Sequence, residues 1–399
     1  MQFPPQRLSN FLDTNSLFRE ERMILKELES NLFIDFKKVN EIPVSQSLSL
    51  FDIIKAQRLF AFMLFVITEY IDSNNLFKSK LFWRSMPVLQ ANDLKDLLAD
   101  FWGEQKAKEI FELFTWRLES KKIFDLQTYP FINVEDWIIL PRGILANSEL
   151  CRNVLQSTGF RFDSKSSEDP LVLEMERCLK PVSSIFATNL KYSFEGTQGE
   201  VDVLAVVDNC LFIFECKNSL HPCNMFELRT SYACIQEAAI QLTRFQDLWQ
   251  QEAFRKYLAK KIKTHNHLPS QLCSCIVMGN RMFSGLREQG HSVRPIRELC
   301  YIIYKGEILL NSYNIYDQDA GKKSIIKFKL WKEDQLKAED LLGYIQEDSL
   351  HKCYFNSLIR IEQTIKLKNK FLVQESYSFS PERFFEQLVD NFRFTTENL

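Results

Sequence analysis

Between residues 16 and 122, apolar side chains recur every three or four positions, which is the spacing of one helix face. The most apolar window, residues 59–71, is typical of a buried core helix. Further along, Pro130 and Pro141 interrupt the helical pattern, because proline lacks a backbone donor and disfavours helical geometry in the residue before it. We predict an all-helical N-terminal domain, mostly helical over residues 1–160, with its border between residues 156 and 170.

Beyond that border the pattern changes between helix and strand. Pro170 follows an acidic stretch and predicts the start of a helix. Asp208 and Asn209 are turn residues that separate two apolar strands. We expect a helix over residues 168–179, strands over 184–194, 200–207 and 211–216, a long helix over 230–263 broken near Gln250, and strands over 274–278 and 301–310. Residues 161–320 are therefore predicted to form an α/β core.

The last part of the chain, residues 321–399, is polar and carries no residue pattern with recognisable chemistry. Its clearest helices are predicted over residues 332–345 and 353–365. We therefore predict a helical C-terminal extension.

Composition and charge narrow the class of protein. With 399 residues and 45% hydrophobic content, the chain has room for two or three domains, and disorder is not expected. The formal net charge of −2 argues against a protein that coats nucleic acid through a general basic excess. It does not argue against an enzyme that holds a few phosphates around a metal ion.

Ten cysteines are scattered without a paired CxxC unit, so we expect reduced thiols in a cytoplasmic protein. Cys273 and Cys275 could bind zinc with His265 or His267, but a second ligand pair is missing and zinc is disfavoured. The N-terminus lacks the pattern of a secretory signal, and residues 59–71 are shorter than the roughly 20 residues that span a membrane. We therefore expect no membrane association.

Two neighbouring strands carry the residues with candidate chemistry. Glu200 and Asp202 are two apart on one predicted strand, and Glu215 and Lys217 are two apart on the next. Because side chains alternate along a strand, each pair is expected to share a face, with Val201 and Val203 on the other side. Crowded carboxylates repel one another, and a hard divalent cation removes that cost. The pattern predicts a site for Mg²⁺ or Mn²⁺ at Asp202 and Glu215, next to the ammonium of Lys217.

The string GEVDVLAVVDNCLFIFECKNS, residues 199–219, resembles the core hairpin of the PD-(D/E)xK, or restriction-endonuclease-like, phosphodiesterases. It is also similar to the GEIDLIA…FVEVK pattern of small uncharacterised proteins with that fold. The resemblance implies that Asp202 and Glu215 are metal ligands and that Lys217 is the catalytic lysine. It also implies a mixed-sheet core flanked by helices. The proline that often precedes the aspartate is replaced by Val201.

The family often places a glutamate on the helix before the first strand and a glutamine on the helix that follows the strand pair. Glu174 or Glu176 could match the first position, and we favour Glu174 as a catalytic residue and third metal ligand. Gln236 or Gln241 could match the second position, and we favour Gln236.

A basic cluster follows on the long helix, with several of its residues on neighbouring helical turns. It is predicted to bind nucleic-acid phosphates, although a solvated helix face explains the same spacing equally well. Its members are Arg255, Lys256, Lys260 and Lys261.

These patterns together predict a metal-dependent endonuclease that hydrolyses phosphodiester bonds in nucleic acid, with DNA favoured over RNA. The alternative is a restriction-endonuclease-like module that binds nucleic acid or a protein without cutting. A third possibility is a structural or effector protein whose helical parts carry the function. The helical regions are candidates for substrate recognition, for a protein partner or for a homodimer contact.

Overall fold

The computed structural model describes residues 18–32, 39, 42–73, 86–120, 124–157, 169–264, 268–312, 324–333, 335–368 and 370–398. The chain is a mixed α/β protein that divides into two compact units, Met1–Lys165 and Ser166–Leu399. Among the helices within these ranges, none is long and apolar enough to cross a membrane. His265 and His267, the histidines of the disfavoured zinc site, lie outside the described residues.

The first unit packs helices around a small sheet. Phe60 lies edge-on to Phe114 at 5.7 Å and to Phe131 at 4.9 Å between ring centroids, so two helices and one strand meet in one core. The helices are α1 (Arg19–Leu32), α2 (Leu50–Ser73), α3 (Ala91–Phe114, interrupted at Gly103), α4 (Arg142–Asn147) and α5 (Leu150–Ser157). The strands are β1 (Val88–Gln90), β2 (Thr115–Arg117), β3 (Phe131–Val134) and β4 (Trp137–Ile139), in the order β1-β4-β3-β2.

The expectation of an all-helical first domain is therefore wrong, although helices dominate. Its strands are only three or four residues long, too short to produce a readable alternation of apolar and polar positions. β3 and β4 form a hairpin in which Ile132 pairs with Ile139, and the two prolines that break the helical pattern flank it.

The second unit is built on a mixed six-stranded sheet in the order β5-β6-β7-β8-β10-β9. The first three strands run antiparallel, whereas β7, β8 and β10 run parallel. The strands are β5 (Ile185–Phe194), β6 (Thr197–Val207), β7 (Cys210–Lys217), β8 (Gln271–Met278), β9 (Arg287–Glu288) and β10 (His291–Pro295). The helices around it are α6 (Pro170–Leu179), α7 (Met225–Trp249), α8 (Glu252–Lys261) and α9 (Ile296–Lys305).

Local signals explain most of these elements. The turn between β6 and β7 uses Asp208, whose φ of 48° is left-handed, and the expected turn is confirmed. The long helix breaks at Gln250, as predicted, and the Arg255 guanidinium donates to the carbonyl of Trp249 at 2.8 Å. The predicted strand over residues 301–310 is wrong in its first half, because the apolar face of α9 continues to Lys305 before strand β11 begins at Glu307.

The C-terminal region is not a helical extension. It contains α10 (Ala338–Ile345), α11 (Ser349–Asn356) and α12 (Pro381–Asn391), a sheet of β11 (Glu307–Ser312), β12 (Ser324–Lys329) and β15 (Arg393–Asn398), and a hairpin of β13 (Leu358–Leu367) and β14 (Lys370–Phe379). The helix predicted over residues 353–365 ends at Asn356, because the segment after it pairs in register with β14.

The C-terminal region is anchored to the core by a buried arginine. The Arg294 guanidinium, fully buried on β10, donates to the carbonyls of Tyr344 and Ile345 and pairs with Asp348. Since a buried guanidinium without partners is costly, this arrangement specifies how the segment after α10 packs on the sheet.

Candidate active site

Strands β6 and β7 separate at the position of Asp202. Their regular pairing ends with Val203 opposite Phe214. Beyond that pair, the backbone amide of Cys216 donates to Asp202 Oδ2 at 2.7 Å instead of to a strand carbonyl. The Asp202 carboxylate is therefore held in the opening between the two strands.

The other neighbour of β6 is also irregular at this point. The pairs Thr188–Val203 and Leu190–Val201 keep one register and place Asn189 opposite Asp202, with a left-handed φ of 48°. Asparagine tolerates this conformation better than most residues do.

The alternation of side chains along β6 shifts by one residue at the same place. Val201 and Leu204 both belong to the core cluster under α7, although they are three residues apart, and Val203 is buried outside that cluster. The expectation that Val201 and Val203 share a face is therefore wrong. At this change of direction the Asp202 carboxylate faces the backbone amide of Cys216 on β7.

Glu215 and Lys217 lie on one face of β7, as predicted, and are in direct contact. Lys217 Nζ donates to Glu215 Oε1 at 2.9 Å and to Gln241 Oε1 at 3.2 Å. Glu215 is only 4% exposed, whereas about a fifth of the Lys217 side chain reaches solvent. A buried carboxylate and a partly open ammonium are thus held together by a glutamine from α7.

Asp169 is a third carboxylate that the sequence interpretation did not select. It caps α6, because its side chain accepts from the Leu171 amide at 2.7 Å. The charge of Asp169 raises the pKa of Asp202, and the charge of Lys217 lowers the pKa of Asp169, although burial raises it overall. The aspartate before Pro170 was a visible helix-capping signal, but nothing in its spacing relates it to residues more than thirty positions away.

Burial and like charges shift the pKa values of the carboxylates upward. Loss of hydration and the charge of Asp202 raise the pKa of Glu215 to about 7, although Lys217 opposes this shift. Burial likewise raises the pKa of Asp202, against the amide of Cys216 and the charge of Lys217. Burial lowers the pKa of Lys217, but its contact with Glu215 outweighs this effect and the pKa of Lys217 is raised. The site is therefore rich in negative charge that one ammonium does not fully balance.

The glutamates proposed for the preceding helix have other partners. Glu174 pairs with Arg177 at 3.0 Å and its carboxylate lies beside Cys178 and Cys300. Glu176 pairs with Lys180 at 2.7 Å. Asp169, at the N-terminal cap of the same helix, is the carboxylate of this helix whose charge raises the pKa of Asp202.

On the following helix, α7, the glutamine that contacts Lys217 is Gln241 and not the favoured Gln236. Gln241 accepts from Lys217, whereas Gln236 interacts with Tyr232. The two lie five residues apart, well over one turn of α7, so they point in different directions.

Asp202 and Glu215 offer the carboxylate oxygens that Mg²⁺ prefers, and within the described residues no third side-chain ligand completes a closed cage with them. In the described part of the chain, the one group of three possible ligands with atoms within 4.8 Å of one another is elsewhere, at Glu174, Cys178 and Cys300. Mg²⁺ is commonly held by one or two carboxylates, with waters and substrate phosphate completing the shell. Asp202 and Glu215, with Asp169 near, match that pattern.

The basic residues of α8 have local partners. Arg255 binds the C-terminal end of α7, and Lys256 pairs with Glu252 at 2.7 Å. The Lys261 ammonium lies 6.0 Å from the ring centroid of Tyr257, and Lys260 belongs to the last turn of the helix. Arg255 thus has a structural task, whereas the lysines keep an outward orientation.

Comparison with known proteins identifies no family. No family model matches the chain, and no curated protein matches it. Among solved structures, the chain aligns with the crystal structure of protein VC1899 from Vibrio cholerae at 11% identity and a TM-score of 0.17. The alignment covers 72% of this chain and 56% of that one, so this chain spans little more than half of the other protein's length. A similarity at this TM-score carries no argument about fold or function.

Proposed function

We propose that the second unit is a metal-dependent nuclease of the PD-(D/E)xK, restriction-endonuclease-like kind. The observation that carries the proposal is the contact set in which Asp202 is held by the amide of Cys216 and Lys217 bridges Glu215 and Gln241. A purely structural salt bridge does not need a second, partly buried carboxylate on the neighbouring strand. The resemblance of residues 199–219 to that family supports the same conclusion.

In this proposal Asp202 and Glu215 hold one or two Mg²⁺ or Mn²⁺ ions, with Asp169 adding negative charge nearby. When bound, the metal polarises the phosphodiester and lowers the pKa of a coordinated water. Lys217 orients the attacking water or stabilises charge on the phosphate, and Gln241 fixes the direction of its ammonium. The raised pKa of Glu215 predicts weak metal binding in acid, because a protonated carboxyl is a poor ligand.

The proposed substrate is nucleic acid, with DNA favoured over RNA. Outward-facing Lys256, Lys260 and Lys261 remain candidates for contacts with phosphates flanking the cleavage site. Arg255 is a weaker candidate, since its guanidinium binds backbone carbonyls at the end of α7.

The decisive experiment measures cleavage of plasmid, linear single-stranded DNA and RNA by the full-length protein in Mg²⁺, Mn²⁺ or EDTA. We expect metal-dependent cleavage that falls at least about a hundredfold in Asp202→Ala and Lys217→Ala. Lys180→Ala is the matched control, because it removes an exposed lysine paired with a glutamate four residues away.

Two results would contradict the proposal. One is a purified, folded Lys217→Ala variant that cuts as fast as the unaltered protein. The other is tight nucleic-acid binding, independent of metal and without cleavage, which would support the non-catalytic module instead.

A further inference from the structure

A second group of possible metal ligands lies between α6 and α9. The Glu174 carboxylate, Cys178 Sγ and Cys300 Sγ are all within 4.8 Å of one another. Cys178 is 1% exposed and Cys300 4%. Glu174 and Cys178 are four residues apart on α6, so they share one helix face, and Cys300 projects from the facing helix.

We propose that Glu174, Cys178 and Cys300 form a binding site for a zinc ion that joins α6 to α9. Zn²⁺ is a borderline-soft ion that binds both thiolates and carboxylates, whereas Mg²⁺ prefers oxygen ligands. Two thiolates and one carboxylate therefore favour Zn²⁺ over Mg²⁺. In a tetrahedral site with Zn–S bonds of about 2.3 Å, neighbouring ligand atoms are roughly 3.8 Å apart. Side-chain movements of about 1 Å therefore close the site, and a water molecule completes the coordination.

The charges around the cluster suit a doubly charged ion. Two thiolates and a carboxylate carry three negative charges, which zinc reduces to one, and the guanidinium of Arg177 beside Glu174 balances the remainder. With the ion absent, the hydrogen bond with Cys178 and then burial favour the protonated thiol at Cys300, so its pKa is raised. Zinc binding must therefore release protons, and its affinity is expected to rise with pH.

This site is distinct from the proposed magnesium site and does not rest on nuclease activity. The two sites share no ligand, since the proposed magnesium site uses Asp202 and Glu215 on β6 and β7. The helix α6 carries Glu174 in its middle, Cys178 near its C-terminal end and Asp169 at its N-terminal cap. A zinc ion would thus fix the helix that brings Asp169 to the candidate active site.

The test uses reduced full-length protein freed of metal with a chelator and then titrated with Zn²⁺ against a chromophoric competitor. We expect about one tightly held ion per chain. Replacing a residue that only supports a metal ligand typically weakens metal affinity about 10- to 100-fold. Loss of a ligand itself should cost more, so Cys178→Ser and Cys300→Ser should each bind Zn²⁺ at least about a hundredfold more weakly.

Cys353→Ser is the matched control, because Cys353 is equally buried but lies on α11. It should keep the zinc affinity of the unaltered protein, as should Asp202→Ala. Zinc that is retained by both serine variants at Cys178 and Cys300 overturns the proposal. So does zinc that is lost in Asp202→Ala alone.

A measurement on the unaltered protein covers the case in which the variants do not fold. Co²⁺ should give thiolate-to-metal charge-transfer bands, and Zn²⁺ should slow alkylation of Cys178 and Cys300, but not of Cys353, in mass spectrometry. The absence of both effects would show that the two thiols are an ordinary buried pair.

Discussion

Replacing Glu215 with Gln should stabilise the second unit at neutral and higher pH when no metal is bound. The glutamine keeps the shape of the side chain and an oxygen for the Lys217 ammonium, but removes a charge that is 4% exposed. In the unaltered protein, burial and the charge of Asp202 raise the pKa of Glu215 from 4.5 to about 7. Folding therefore works against the ionisation of this group.

The change in the free energy of unfolding follows from the number of protons that Glu215 binds in the folded and in the unfolded state. Below about pH 4.5 the carboxyl is protonated in both states and costs nothing. Between pH 4.5 and 7 the folded state keeps a proton that the unfolded state has lost, so the free energy of unfolding falls as pH rises. Above pH 7 the loss is complete, at about 3 kcal/mol. The Glu215→Gln variant lacks this loss.

Urea and thermal unfolding between pH 4 and 8.5 in EDTA measure the effect. Hydrogen-exchange mass spectrometry on peptides of the Ser166–Leu399 unit assigns the transition to that unit. At pH 8 we expect the variant to unfold roughly 6 to 12 °C higher. Glu176→Gln, which removes a partly exposed carboxylate paired with Lys180, should change stability by no more than about 0.5 kcal/mol. Parallel pH profiles for the variant and the unaltered protein would refute the reasoning.

The effect of Mg²⁺ on stability distinguishes the cost of burying the Glu215 charge from the proposed role of Glu215 as a metal ligand. At pH 8, Mg²⁺ should stabilise the unaltered protein, because the ion favours the ionised carboxylate. The gain should be smaller in Glu215→Gln. An equal gain in both proteins would leave the burial reasoning intact but contradict Glu215 as a metal ligand.

Three further changes test individual residues of the site. Asp169→Asn should keep the stability of α6 within about 0.5 kcal/mol, since asparagine caps helices as well as aspartate does. The same change should weaken Mg²⁺ binding in calorimetry, and unchanged binding would show that Asp169 does not belong to the metal site. Gln241→Leu removes the second acceptor of the Lys217 ammonium and should slow cleavage about tenfold. Gln236→Leu should leave the cleavage rate unchanged, and equal effects of the two changes would contradict a positioning role for Gln241. Asn189→Val places a branched side chain at a φ of 48° and should cost about 1–2 kcal/mol in urea unfolding, whereas Asn189→Gly should be tolerated; a neutral valine would show that the backbone relaxes.

Much of the second unit could be predicted because its local signals agree with one another. The first half of β6 alternates between polar and apolar residues, β7 is a short apolar run, Asp208 marks the turn, and Pro170 marks the start of α6. The sequence also placed Glu215 and Lys217 on one face, since two residues separated by one position on a strand always share a side.

Other features could not be predicted because their signals were short or ambiguous. The three-residue strands of the first unit do not show a period. The hairpin of β13 and β14 was interpreted as helix because its apolar residues, such as Ile361 and Ile365, are also four apart. Only pairing with the second strand distinguishes the two interpretations.

The sequence by itself determined the α/β nature of the second unit and the position of Asp202, Glu215 and Lys217 on adjacent strands. The tertiary structure decided which distant residues join them. The charge of Asp169 rather than that of Glu174 raises the pKa of Asp202, and Gln241 rather than Gln236 accepts from Lys217. Local propensity acts over a few residues, whereas the rotation of a helix and its crossing over a sheet depend on the packing of the whole core.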